Sequence, residues 1–364
     1  MSNERLKILI AAGGTGGHVF PAIAIADEIK KLRSNAEFLF VGTKRKIETR
    51  VVPERGYSLS FIWISGFHRS LQMGNLLFPI KVLVSLVQSF FLIKRFQPDI
   101  VIGTGGYVCG PVLFIASQLG IPTVVHESNS FPGITTRMLS SRAARIFTAF
   151  SITIRWLKRK DNIELAGTPT RDVLGTVSRE DGIKFFNLDP SKKTVFVFGG
   201  SLGAVSINEA IKTLMNDFVD SNIQLIWQTG KTDAALAKEM ATMKNCWVNT
   251  FIDKMEYAYA AADVVVCRAG ATTLAELTRL GKASILIPYP HAAADHQTYN
   301  AQTLVDAGAS VMIADQDVKI KLKDVINSII KDDKRRQQMN EASLAIGKPN
   351  AGREIAQRIL ELTN

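Results

Sequence analysis

Short apolar runs alternate along the whole chain with longer stretches whose apolar residues recur at helical spacing. The runs Lys7–Ala11, Glu37–Val41, Ile100–Ile102, Thr123–His126 and Ile146–Phe147 predict buried strands in the first half. A second set is predicted at Thr194–Phe198, Gln224–Gln228, Cys246–Thr250, Val264–Cys267 and Ser284–Ile287. Between them, stretches such as Ala22–Lys31 and Ser206–Asp217 predict amphipathic helices. Strands that are apolar throughout, each followed by a helix, predict an α/β protein with parallel sheets covered on both faces.

A chain of 364 residues accommodates two such domains at roughly 150 residues each. Glycine and proline interrupt the pattern at Leu165–Pro169, which predicts a linker and a division into residues 1–166 and 167–350. The last helix, Ala351–Leu362 within residues 351–364, fits either domain by its sequence alone. The stretch Leu76–Phe96 departs from the pattern. It is unusually apolar, yet the charge-free part is only Val82–Ile93, too short for the roughly 20 residues of a spanning helix. Two readings stay open: a helix buried in the fold, or an interfacial helix lying in a membrane surface, flanked by His68, Arg69, Lys81, Lys94 and Arg95.

Charge sharpens this picture. Residues 1–166 carry 21 Lys and Arg against 10 Asp and Glu, whereas the rest of the chain carries 23 of each. The whole excess of +11 therefore lies on the first half, which should face an anionic partner. Nucleic acid fits poorly, because basic and aromatic residues are not interleaved. Cys109, Cys246 and Cys267 form no paired or zinc-like spacing, which predicts a reduced, cytoplasmic protein. The polar start Met1 to Lys7 does not read as a signal peptide.

The chemistry gathers where strands end. Ile8–Ala12 runs into Gly13–His18, a glycine turn that opens a helix. Glycines allow close backbone approach, and a helix start offers N–H groups and a positive dipole end to an anion. The turn is neither a P-loop nor a dinucleotide fingerprint: no Gly-Lys-Ser/Thr follows, and Val19 stands at the third glycine position. His18 sits at the helix start, where the dipole disfavours an imidazolium and suits a neutral general base. Gly103–Tyr107 is a further glycine turn, and His126–Asn129 adds polar groups at another strand end. In the second half, Gly199–Ala204 repeats the strand–turn–helix pattern. So does Cys267–Glu276, which places the N–H groups of Ala271, Thr272 and Thr273 at a helix start and Glu276 one turn further on. Pro288–Gln297 forms a long polar loop suited to sugar hydroxyls.

The ordered set Gly13–His18, Gly103–Tyr107, His126–Asn129, Gly167–Arg171, Gly199–Ala204, Arg268–Glu276 and His296–Gln297 closely resembles the MurG family, the N-acetylglucosaminyltransferases of bacterial peptidoglycan synthesis, over nearly the whole chain. The resemblance implies a GT-B glycosyltransferase, two Rossmann-like parallel-sheet domains with a cleft between them. It implies inverting transfer of N-acetylglucosamine from UDP-N-acetylglucosamine to the 4-hydroxyl of undecaprenyl-diphosphate-linked N-acetylmuramoyl-pentapeptide, turning lipid I into lipid II. The alternative is another UDP-sugar enzyme of this architecture, a lipid glycosyltransferase or an epimerase. In the second domain it implies that Glu276 binds the ribose, Ser201 and Ala271 to Thr273 the diphosphate, and Gln297 the sugar. Arg171 should reach the phosphates, Phe251 and Ile252 should border the uracil, and Asn208 should lie near the donor. In the first domain, Thr15, Gly16, Gly17 and Asn129 are also expected to serve the donor. His18, Gly105, Gly106, Tyr107 and Asn129 would line the acceptor side, with His18 as base. No cofactor and no catalytic metal are expected, although a divalent cation is left open. Asp315–Asp317 looks like a metal-binding DxD but is expected to cap the helix after it. The implied partners are the two substrates, an anionic membrane surface and other cell-wall and division proteins. The implied place is peripheral, on the cytoplasmic face of the bacterial plasma membrane.

Overall fold

The computed structural model of the chain describes residues 5–66, 77–220 and 222–363. It divides into two compact units, Met1–Thr170 with Pro349–Asn364, and Arg171–Lys348. The division falls between Thr170 and Arg171, one residue beyond the predicted linker Leu165–Pro169.

The first unit contains β1 (Lys7–Ala11), β2 (Glu37–Gly42), β3 (Ser58–Phe61), β4 (Ile100–Gly103), β5 (Thr123–Glu127), β6 (Arg145–Thr148) and β7 (Ile163–Leu165). Its helices are α1 (Gly16–Leu32), α2 (Glu48–Glu54), α3 (Phe78–Phe96), α4 (Cys109–Gln118) and α5 (Ile134–Leu139). The strands form one parallel sheet in the order β3-β2-β1-β4-β5-β6-β7. Successive side chains of β1 serve opposite faces, as strand geometry requires. Ile8 and Ile10 join a core with Ile25 and Ile29 of α1. Leu9 and Ala11 join another with Val112 and Leu113 of α4.

The second unit contains β8 (Lys193–Phe198), β9 (Ile223–Gln228), β10 (Cys246–Asn249), β11 (Val264–Cys267), β12 (Ser284–Leu286) and β13 (Ser310–Met312). Its helices are α6 (Arg179–Phe185), α7 (Val205–Asp220), α8 (Ala234–Met240), α9 (Met255–Ala261), α10 (Ala271–Leu280), α11 (His296–Asp306), α12 (Val318–Ile330) and α13 (Asp333–Ile346). Its parallel sheet runs β10-β9-β8-β11-β12-β13. Val195 and Val197 of β8 face α7 and α12. Phe196 and Phe198 face the other way, their rings against Tyr259 of α9.

The final helix, α14 (Ala351–Glu361), returns to the first unit. Its Ile355, Ala356 and Ile359 are buried in the core shared with α1. Helix α1 starts at Gly16, ahead of the predicted Ala22, and keeps Pro21 inside it. Three strands were not predicted: β3, β7 and β13. Each is short, and each closes an edge of its sheet, where one side needs no partner and the sequence is free to be mixed.

Helix α3 carries its pattern inside out. Ser85, Ser89 and Ile93 form its buried stripe, and the two hydroxyls donate back to the carbonyls of Val82 and Ser85 at 2.7 Å. Ile80, Leu83, Val87 and Phe91 lie exposed on the outer side. Ile93 joins the core beneath, with Val82, Leu92 and Phe96 packed against it, so the helix is buried along one face and apolar on the other. Among the described residues no helix is long and apolar enough to cross a membrane. His68 and Arg69 lie outside the described residues.

Candidate functional site

Each sheet reverses its winding direction at one point, between β1 and β4 in the first unit and between β8 and β11 in the second. Such sheets bind ligands beyond the carboxyl ends of the strands that flank this point. Those ends lead into the glycine turns singled out above.

In the first unit the two turns lean on each other. A Cβ on Gly106 (φ +88) would lie 2.3 Å from the Gly13 carbonyl oxygen, and one on Gly105 (φ +119) would lie 2.4 Å from Cδ2 of His18. Both positions therefore require glycine. Thr104 Oγ1 donates to the His18 carbonyl at 2.8 Å. The half-buried ring of His18 places Nδ1 3.2 Å from the Gly13 carbonyl oxygen and 3.4 Å from Thr15 Oγ1. A carbonyl only accepts, so Nδ1 carries the hydrogen and Nε2 is the basic nitrogen. Tyr107 is exposed, its ring lying over Gly66. Gly16, Gly17 and Thr15 stand at the start of α1, where Thr15 makes no side-chain cap bond.

One amide of the first turn faces inward rather than out to an anion. The Gly14 N–H donates to Oε2 of Glu48 at 3.1 Å. Glu48 is fully buried at the start of α2, and its Oε1 accepts the N–H and hydroxyl of Thr43 at 2.9 and 2.8 Å. At Gly14 the turn already holds the protein's own carboxylate, so this one amide is not offered to a ligand. Glu48 was missed in the sequence. Its signal is an acid at the start of a short helix, Glu48–Glu54, soon after the second strand.

A second buried acid shapes the neighbouring loop. Glu127 Oε1 accepts the Asn129 N–H at 3.0 Å and its Nδ2 at 3.2 Å. Oε2 accepts the Gly133 N–H at 3.0 Å and Thr136 Oγ1 at 2.6 Å. Asn129 is thereby held at the end of β5. His126 Nε2 donates to the Gly167 carbonyl at 2.9 Å. Burial holds the His126 imidazole below its usual range, although this bond and Glu127 act in the opposite sense. Burial also pushes the Cys109 thiol up to about 12, so it stays an inert thiol that donates to the carbonyls of Ala11 and Gly105.

In the second unit Gly199–Ala204 is locked by backbone contact. A Cβ on Gly203 (φ +90) would lie 2.1 Å from the Thr229 carbonyl oxygen, and one on Gly199 2.4 Å from the Ala204 nitrogen. Ser201 is exposed at its tip. Helix α10 begins at Ala271 with Gly270 before it and no side-chain cap. Thr272 Oγ1 is buried there with no hydrogen-bond partner. An uncapped helix start with an unsatisfied hydroxyl is an arrangement that a phosphate would complete.

Glu276 lies further along α10, nearly buried. Its Oε1 accepts Nη2 and Nε of Arg171 at 2.8 and 3.1 Å, and its Oε2 accepts the Tyr259 hydroxyl at 2.9 Å. Burial opposes the charge on Arg171, but Glu276 outweighs it and the guanidinium pKa is raised. Tyr259 is pushed well above its usual range by burial and by Glu276, so it remains a donor. Gln297, in the first turn of α11, accepts the Tyr289 N–H at 2.9 Å, and in the loop before that helix Ala294 and Asp295 both hold positive φ.

Two of the expected donor positions, Asn208 and Ile252, are also bonded within the second unit. Asn208 is buried and its amide is spent inside the unit. Nδ2 donates to the Thr229 carbonyl at 2.8 Å and to Asp233 Oδ2, and Oδ1 accepts Trp227 Nε1 at 3.1 Å. The residue ties the start of α7 to the loop after β9. Ile252 is buried as well, its N–H donating to Gln228 Oε1 at 2.9 Å, and the exposed neighbour is Phe251. The expected cap at Asp315–Asp317 is also corrected. Asp317 precedes α12 without a side-chain cap bond and pairs with Lys321 at 2.7 Å. Asp315 pairs with Arg268 and accepts the Ser206 hydroxyl. Among the described residues no three His, Cys, Asp or Glu side chains are grouped to hold a metal.

Residues 8–148 match the glycosyltransferase family 28 N-terminal domain, and residues 194–359 match the family 28 C-terminal domain. A protein of Flavobacterium psychrophilum is 40% identical over 361 residues, 99% of this chain and 98% of its own length. One of Chlorobaculum tepidum is 42% identical over 364 residues, 98% of this chain and all of its own length. Both are named UDP-N-acetylglucosamine–N-acetylmuramyl-(pentapeptide) pyrophosphoryl-undecaprenol N-acetylglucosamine transferase. The crystal structure of Acinetobacter baumannii MurG superposes with a TM-score of 0.73 at 27% identity, covering 98% of this chain and 99% of that one. The chain therefore belongs to glycosyltransferase family 28, with the GT-B architecture of the MurG family.

Proposed function

We propose that the protein transfers N-acetylglucosamine from UDP-N-acetylglucosamine to the 4-hydroxyl of the muramoyl unit on undecaprenyl diphosphate, lipid I to lipid II. The full-length identity of about 40% to transferases of that name carries this reading. In the second unit, Glu276 takes the ribose hydroxyls, the start of α10 and Ser201 take the diphosphate, and Gln297 takes the sugar. When ribose replaces Arg171 at Glu276, the guanidinium is released to the phosphates. In the first unit, Nε2 of His18 accepts the proton of the acceptor hydroxyl as its oxygen attacks the anomeric carbon. UDP departs from the opposite face, and a single displacement inverts the centre. The α10 dipole, its N–H groups and Arg171 carry the leaving-group charge, so turnover in a chelator should match turnover without it.

The outer side of α3 is the membrane-facing surface in this reading. It presents Ile80, Leu83, Val87 and Phe91 with Lys94 and Arg95 at its end, and it lies on the half that carries the whole charge excess. The protein thus works peripherally on the cytoplasmic face of the plasma membrane, beside other cell-wall enzymes.

The test is incubation with labelled UDP-N-acetylglucosamine and a short-chain lipid I analogue. Label on the muramoyl unit supports the reading; transfer only to another lipid, or epimerisation of the donor, rejects it. His18→Ala should lower kcat far more than UDP affinity, and near-normal turnover removes it as the base.

A further inference from the structure

We propose that Glu48 is a positioning residue that tunes His18 through a single peptide group. The proposal rests on the reading of His18 as the base. The N–H of Gly14 and the carbonyl of Gly13 belong to the same peptide unit. The N–H donates to Oε2 of Glu48 at 3.1 Å, and the carbonyl accepts from Nδ1 of His18 at 3.2 Å. The chain of contacts runs carboxylate, peptide, imidazole. A carboxylate on the N–H side polarises the peptide and makes its carbonyl a stronger acceptor. That holds the hydrogen on Nδ1, turns the lone pair to Nε2 and stabilises the imidazolium that forms when Nε2 takes a proton. The effect is that of a carboxylate bonded directly to a catalytic imidazole, delivered one peptide group away.

The surroundings are built for this carboxylate. Glu48 is fully buried, and its hydrogen-bond partners are the Gly14 N–H and the N–H and hydroxyl of Thr43. A Cβ on Gly13 would lie 2.9 Å from Oε1, and one on Gly42 2.7 Å from Cγ. The glycines at both positions thus make room for the acid as much as for any ligand. Gly106, whose Cβ would strike the Gly13 carbonyl oxygen, closes the other side of the same peptide.

His126, on β5, lies near enough to His18 for the two imidazoles to act on each other, and Glu127 acts on His126 in turn. Burial keeps His126 below its usual range and pushes Cys109 up to about 12.

The experiment is the pH profile of kcat/KM for the full-length protein and its Glu48→Gln and His18→Gln variants, with UDP affinity measured alongside. E48Q keeps the side chain's size and removes its charge. Its acidic limb should move down by about half to one pH unit, with kcat lowered and UDP affinity unchanged. A lower rate with the limb unmoved means that Glu48 only supports the loop, and the proposal fails; so does an unaltered enzyme. H18Q should lose the limb. If it keeps the limb, the base assignment has failed, whatever E48Q does. Should E48Q not fold, nitrogen NMR of histidine-labelled native protein decides. Neutral His18 protonated at Nδ1 is expected, and a dominant Nε2–H form overturns the proposal.

Discussion

Arg171 rests its guanidinium on one oxygen of Glu276, with Nη2 2.8 Å and Nε 3.1 Å from Oε1. Tyr259 occupies the other oxygen at 2.9 Å. The carboxylate assigned to the ribose is thus fully partnered before nucleotide arrives, and binding must exchange a guanidinium for hydroxyls. Hydrogen bonds to charged groups contribute about 1.5–3 kcal/mol each. Glu276→Gln should therefore weaken UDP binding by about ten- to a hundredfold. It should barely change the already weak binding of the 2′,3′-dideoxy analogue. Calorimetric titration of both ligands checks this, and an equal loss for both would remove Glu276 from the ribose.

Asn208 separates a structural role from a ligand contact. Its amide joins Trp227, Thr229 and Asp233 inside the second unit. Asn208→Ala leaves the indole N–H of the fully buried Trp227 without its acceptor, at a cost of about 1–3 kcal/mol. Urea unfolding should show that loss, with UDP affinity kept in the folded fraction. Unchanged stability with weakened UDP binding would restore it as a donor contact.

Lys282 makes stability depend on alkaline pH. Burial pulls its ammonium down to about 8 from an ordinary value of 10.5, although Asp263 acts against this. Its Nζ donates to the Ala262 carbonyl at 2.8 Å. Between those two values the unfolded chain holds a proton that the folded chain has released, so unfolding takes up protons and stability rises with pH. Below about 8 both states are charged and the penalty is constant. Lys282→Met should abolish this rise. Unfolding free energies at pH 7.5 and 10 for both proteins measure it, and equal slopes would reject the buried-lysine account.

The sheets were legible because their central strands are apolar throughout, which only a doubly covered parallel sheet explains. The edge strand Ser58–Phe61 was not, since a half-exposed edge imposes no such pattern. In the site, Gly105, Gly106 and His18 could be picked out as a turn and its imidazole. That a Cβ at Gly105 would strike the His18 ring could not be, because the contact joins residues far apart in the chain. Glu48 was hidden for the same reason, since an acid in a short helix reads as solvent-facing until Gly14 and Thr43 are seen to point at it. The bonds of Asn208 were hidden likewise, because the buried Trp227 and the Asp233 carboxylate that meet its amide lie on another strand and loop.

The last prediction turns on the inverted pattern of α3. A helix that buries Ser85 and Ser89 while exposing Ile80, Leu83, Val87 and Phe91 gains nothing from water on its outer side. Inserting one large apolar side chain fully contributes about 1.5–3 kcal/mol, so even partial insertion of Leu83 and Phe91 should dominate vesicle affinity. The double variant Leu83→Ser, Phe91→Ser should bind phosphatidylglycerol vesicles at least about tenfold more weakly. Its UDP affinity and unfolding midpoint should hold, because neither side chain joins the buried stripe. Added salt should weaken the native protein's binding as well, since Lys94 and Arg95 contribute by attraction to the anionic surface. Co-sedimentation across a salt series reads both effects. Undiminished binding by the double variant would take α3 off the membrane and leave the basic surface alone to hold it.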